Sequence, residues 1–248
     1  MARLLLLLTH GSHKDKNMKS TEFVTENLEE ETLDEWSDTH PGIKKELKQK
    51  GYKFLGKGVD QSAYLEPGTG QVLKIFGTQS GTSGSGGHQL SDDQKMFVTW
   101  AKLCNKNADN PFLPKFSGFE RFVFQDQTYF QIRQERLKEI GPAEGDWLET
   151  IAQTIEDYGF TSAKAAVDLF RREAAENEHR WGPDEYLMLV KKLGEEETTR
   201  LIATIFSLNK IANQKGYTFD LHAGNFMMRG KTPVITDPWV HPSGHSGL

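Results

Sequence analysis

Cysteine is nearly missing from this chain: Cys104 is the single one in 248 residues, so no internal disulfide can form. A lone thiol within an apolar helical pattern reads as packing, and the composition suits a reducing compartment. A surplus of one charge is missing too. Thirty Lys and Arg stand against 35 Asp and Glu, a formal net charge of -5, which argues against a basic groove for nucleic acid. Long apolar runs are also lacking. The five leucines of MARLLLLLTHGSHK are too few for a signal-peptide core and far too few for a membrane span. The expectation is a soluble, cytoplasmic protein with neither a nucleic-acid nor a membrane partner. Met18 opens a more ordinary sequence, MKSTEFVTENLEEE, so residues 1–17 are set aside from the fold as a mistranslated leader or cloning remnant.

What is present divides into three stretches. Residues 1–40 form an N-terminal arm that is largely disordered by expectation: from Glu22 to Asp38 there are eight acids and no base, too little apolar content to order itself. A short helix, IKKELKQKG, then opens the folded part, with Gly51 as its C-cap. Three short β-rich runs follow at Tyr52–Leu55, Ser62–Leu65 and Gln71–Phe76, separated by glycine turns. The stretch 77–89 has five glycines and three serines in thirteen residues, the composition of a flexible loop. Beyond it, Asp92 to Asn105 has helical apolar spacing with Ser91 as N-cap. Strands are expected at Phe119–Phe124 and Thr128–Gln134. Helices follow near Trp147–Tyr158, Ser162–Glu178, Pro183–Leu193 and Glu195–Gln214, and two β-type runs, YTFDLHAGNFMM and PVITDPW, flank the turn Arg229-Gly230-Lys231. The expected class is α+β, with an antiparallel β lobe over residues 41–138 and a mostly helical lobe over 139–248.

Three features point to phosphoryl transfer, which needs a triphosphate held still, a metal to spread charge, and an acceptor hydroxyl in line. The first is Leu55-Gly56-Lys57-Gly58-Val59-Asp60-Gln61-Ser62-Ala63-Tyr64, where Gly56 and Gly58 let backbone amides approach phosphate oxygens without a Cβ. The second is Lys74, inside the apolar strand Val72-Leu73-Lys74-Ile75-Phe76; an interior lysine calls for an anion, which in phosphoryl transfer is the α/β-phosphate, with support from an acid on the following helix. Asp92 and Asp93 are the available acids, and spacing does not choose between them. The third feature carries most. Asp220 stands five residues before Asn225 in Asp220-Leu221-His222-Ala223-Gly224-Asn225, and Asp237 follows twelve residues later. That spacing puts a hydroxyl-orienting base, Asp220, and two oxygen ligands for magnesium, Asn225 and Asp237, at one edge.

The stretch DLHAGNFM resembles the Asp-x-His-x-x-Asn loop of aminoglycoside phosphotransferases and choline kinases. LGKGVDQSAY, FDLHAGNFM and PVITDP together are more similar to the early serine/threonine protein kinases of podoviruses. The resemblance runs discontinuously from Gly51 to Trp239 and leaves the helical middle unmatched. It implies a two-lobed protein-kinase-like fold, ATP and Mg²⁺ as cofactors, and a protein substrate, a host protein if the chain is phage-encoded. Catalytic roles fall to Asp220 and Lys74, with His222 either near the γ-phosphate or bracing the loop. Gly56, Gly58 and Lys74 hold phosphates, the segment Gln134-Glu135-Arg136-Leu137 is the hinge whose backbone at Glu135 and Leu137 receives the adenine edge, and Asn225 and Asp237 hold the metal.

Four departures mark this chain. Gln61 stands where a third loop glycine is usual, Phe219 precedes the catalytic aspartate, and Asp237-Pro238-Trp239 replaces Asp-Phe-Gly. Eleven residues follow Asp237, so the reading is of either a minimal kinase or a truncated one. Three functions are weighed: a protein serine/threonine kinase; a small-molecule phosphotransferase, favoured by His222; and a non-catalytic kinase-like nucleotide-binding module.

Overall fold

The structure is a computed structural model that describes residues 41–57, 61–77, 91–125, 127–176 and 183–242. The expected acidic arm, the glycine-serine stretch from residue 78 onward and Gly58 lie outside the described residues. The fold is α+β, with a five-stranded antiparallel sheet and six α-helices among the described residues. None of these helices is long and apolar enough to cross a membrane. The described residues separate into two compact units, one drawn from 41–77 with 118–133 and the other from 91–117 with 134–242.

The first unit is built on the sheet. Strands β1 (Lys53–Lys57), β2 (Ser62–Leu65), β3 (Gln71–Gly77), β4 (Phe116–Phe124) and β5 (Gln127–Glu135) lie in the order β1-β2-β3-β5-β4. Helix α1 (Pro41–Gln49) buries Ile43 and Leu47 against Tyr52, Tyr64, Leu73, Ile75 and Tyr129 on one face of the sheet. Its exit turn places Gly51 at φ 82°, a conformation that costs a residue without a Cβ least. Because strand side chains alternate, Lys74, between Leu73 and Ile75, belongs to the opposite face of the sheet, with its cross-strand partner Ala63. The register of β1 against β2 shifts between Phe54 and Gly56, so the glycine loop begins at a bulge.

A buried polar network stands at the edge of this core. Glu66 accepts hydrogen bonds from Tyr52 Oη at 2.8 Å, Thr69 Oγ1 at 2.8 Å and Arg133 Nε at 3.3 Å. Burial, and then the bond to the Glu66 carboxylate, push the Tyr52 phenol up to about 12. The charge of Glu66 is thereby matched by Arg133, which makes its burial tolerable.

The second unit is helical. Helix α2 (Asp92–Lys106) starts at a reciprocal cap in which the Ser91 hydroxyl accepts from Gln94 N–H and the Gln94 side chain accepts from Ser91 N–H. Helices α3 (Pro142–Asp157), α4 (Ala163–Glu176), α5 (Pro183–Leu193) and α6 (Glu195–Lys215) follow. Helix α6 carries Leu201, Ile202, Ile205, Leu208 and Ala212 on its buried side, the spacing of one helical face. Three glutamates open it, a lysine closes it, and Gly216 at φ 71° ends it, each in the sense favoured by the helix dipole and the C-cap.

Some boundaries differ from the sequence expectation. Strand β4 starts at Phe116, three residues early, because the Phe116 ring packs edge-on to Phe97 of α2 at 5.6 Å. Helix α3 starts at Pro142, five residues early, since a proline suits the first helical turn. The run YTFDLHAGNFMM is not one strand. It forms β7 (Thr218–Phe219), a loop with a short 3₁₀ turn at Ala223–Asn225, and β8 (Phe226–Arg229). A two-residue strand β6 (Lys138–Glu139), which pairs with β8, was not foreseen. Strands β9 (Thr232–Ile235) and β10 (Trp239–Val240) complete the unit.

Candidate active site in the second unit

Two small ladders frame the loop that the sequence singled out. On one side β7 pairs antiparallel with β10, Phe219 opposite Trp239. On the other β8 pairs with β9, Phe226 opposite Ile235. The loop from Asp220 to Asn225 and the segment from Thr236 to Pro238 are therefore the two unpaired stretches between the same ladders. Backbone bonds join them at both ends: Asp220 N–H donates to Pro238 O at 2.9 Å, and Thr236 N–H to Asn225 O at 2.9 Å. Asp220, Asn225 and Asp237 are thus held side by side although up to seventeen positions separate them in the numbering.

Within the loop, most polar backbone groups have a partner. Asn225 Nδ2 donates to the Asp220 carbonyl at 2.6 Å, which leaves Asn225 Oδ1 as an oxygen able to face a cation. Asn225 N–H donates to His222 O, and Gly224 N–H donates to His222 Nδ1 at 3.1 Å. Of the two roles left open for His222, the loop brace has this direct contact. A Cβ on Gly224 would meet His222 Cε1 at 2.8 Å, so the glycine is needed for the brace to close. Leu221 is buried.

Helix α3 supports the loop from outside. Glu149 Oε2 accepts from Ala223 N–H at 2.7 Å. At Gly145 the helix comes so near that an added Cβ would lie 3.0 Å from Ala223 Cβ. Glu156, farther along α3, is an exposed residue whose carboxyl is nonetheless pushed up, first by partial desolvation and then by the negative charges of Asp157 and Asp220. Asp220 therefore lies within the electrostatic reach of α3.

The segment bearing Asp237 is anchored by two indoles. Trp239, 2% exposed, donates its Nε1–H to Leu208 O of α6 at 3.1 Å, and Trp100 of α2 donates to Thr236 O at 2.9 Å. The rings meet edge to face at 5.4 Å, a favoured aromatic geometry. Thus Trp239, the last residue of Asp237-Pro238-Trp239, is an anchor.

A second brace ties the β8–β9 hairpin to the end of β5. Arg229 donates to both oxygens of Glu135, to Pro111 O at 2.7 Å and to Leu113 O at 2.9 Å. Lys115 N–H also donates to Glu135 Oε1 at 2.7 Å. The Glu135 side chain is therefore fully engaged, and its backbone N–H donates to Lys115 O at 3.0 Å. Leu137 is buried next to it.

Gly56 and Lys74 belong to the first unit, whereas Asp220, His222, Asn225, Asp237, Glu135 and Leu137 belong to the second. Trp100, Glu149, Gly145 and Arg229 escaped the sequence reading. A tryptophan needs a partner for its N–H when buried, but which carbonyl receives it is not written in spacing. Among the described residues no group of three or more His, Cys, Asp or Glu side chains forms a metal centre. One carboxylate and one amide oxygen fit magnesium, which keeps several waters and takes further oxygens from phosphates. No protein-family model matches the chain, and no curated protein matches it at a significant level.

Proposed function

We propose that this chain is an ATP- and Mg²⁺-dependent phosphotransferase of the protein-kinase-like fold, acting on protein serine or threonine hydroxyls. The sheet unit corresponds to the β lobe of such a fold and the helical unit to its helical lobe. Asp220 orients the acceptor hydroxyl and takes its proton late in transfer, Asn225 Oδ1 and the Asp237 carboxylate hold magnesium, and Lys74 engages the α- and β-phosphates. The observation that carries this reading is the pairing of the Asp220–Asn225 loop with the Asp237 segment between two ladders, because the chemistry needs a base and two oxygen ligands on one rigid frame.

A second reading, a small-molecule phosphotransferase, draws on His222 and its contact inside the Asp-x-His-x-x-Asn loop. Purified protein with γ-labelled ATP and Mg²⁺, alone and with cell lysate, separates the two. Label in the protein or in lysate proteins supports the first, and label in small metabolites the second. No label anywhere, with Mg-ATP bound, supports a non-catalytic nucleotide-binding module.

A further inference from the structure

Side chains along β5 alternate between the two faces of the sheet. Tyr129 sits in the core covered by α1, so Ile132 and Gln134, an odd number of positions away, lie on the other side of the strand. Gln134 is 5% exposed, and its Oε1 is enclosed yet accepts no hydrogen bond from any described residue. Interiors seldom leave such an acceptor without a donor. The next residue shows the opposite condition, since Glu135 is saturated by Arg229 and the Lys115 N–H. At the end of β5 an amide oxygen thus awaits a donor, one residue before the backbone assigned to receive the base.

We propose that Gln134 Oε1 accepts a hydrogen bond from the exocyclic amino group of the nucleotide base, so that this side chain selects a 6-aminopurine over a 6-oxopurine. The inference rests on the nucleotide-binding reading given above. An amino group carries two N–H donors, one for the hinge backbone and one for Gln134. A 6-oxo group places an acceptor against an acceptor, and a base with hydrogen at that position leaves the amide unsatisfied. A site built to meet a donor rejects a ligand that lacks it.

The test titrates the full chain, with Mg²⁺, using ATP and purine riboside 5′-triphosphate, which lacks only the 6-amino group. Gln134→Leu and the more pliable Gln134→Met are titrated alongside, each after circular dichroism has established that it is folded. The native protein is expected to prefer ATP, and the preference is expected to shrink roughly three- to tenfold in either variant, the worth of one neutral hydrogen bond. The loss falls on ATP and spares the analogue. An equal preference in native and variant proteins, or none in the native protein, overturns the assignment of Gln134 while leaving nucleotide binding intact. A native protein that binds neither triphosphate overturns the nucleotide-binding reading and this assignment together.

Discussion

Arg229 shows how much one side chain can organise. It bonds a carboxylate and two backbone carbonyls that lie about a hundred positions away along the chain, and both members of the Arg229–Glu135 pair are less than a third exposed. Replacing Arg229 by lysine removes the planar fork that satisfies these acceptors together. Arg229→Lys is expected to lose about 2–3 kcal/mol of stability in denaturant titration; a loss under about 0.5 kcal/mol would mean that the hairpin is held by its apolar contacts alone. Tyr52 supplies a pH-dependent counterpart. Burial first, and then the bond to Glu66, push its phenol from 10.0 up to about 12, so its contribution is complete below pH 10 and fades as the pH climbs toward 12. Native protein should lose roughly 2 kcal/mol across that window which Tyr52→Phe does not lose. Parallel decay of the two proteins would contradict the Tyr52–Glu66 account.

Elements meet the loop at close range, and here a propensity argument and a packing argument give opposite signs. Gly145 lies inside α3, where alanine ordinarily improves a helix by up to about 1 kcal/mol. An added Cβ would press on Ala223 at 3.0 Å, displacing the loop that carries Asp220 and Asn225. Gly145→Ala is therefore expected to lower phosphate transfer about tenfold or more, and the double variant Gly145→Ala, Ala223→Gly to recover most of it. Faster or unchanged transfer in the single variant would show that the loop yields freely. Element positions were largely legible in sequence because their signals are local: the Ser91 cap, the apolar spacing of α6, and the alternation of β2 and β3. The errors arose where tertiary contacts decide. Phe116 joins β4 through its contact with Phe97, β6 exists because β8 lies beside it, and the Asp220–Asn225 loop reads as strand by composition while its bonds run to Pro238, Thr236 and Glu149.

For the whole molecule, the grouping of Asp220, Asn225 and Asp237 was legible as a pattern in the sequence, since the proposed chemistry calls for those residue types at those intervals. The supports were not, because Trp100, Glu149 and Arg229 act through partners distant in sequence. The central claim is that this chain transfers phosphate and that Asp220 acts in the chemical step. Its most direct test is the rate of γ-phosphate transfer at saturating Mg-ATP by Asp220→Asn relative to the native protein, with nucleotide affinity measured on the same folded samples. The account predicts affinity within about twofold and transfer reduced by roughly a hundredfold or more. Full transfer by Asp220→Asn, or no transfer by the native protein to any acceptor, would contradict it.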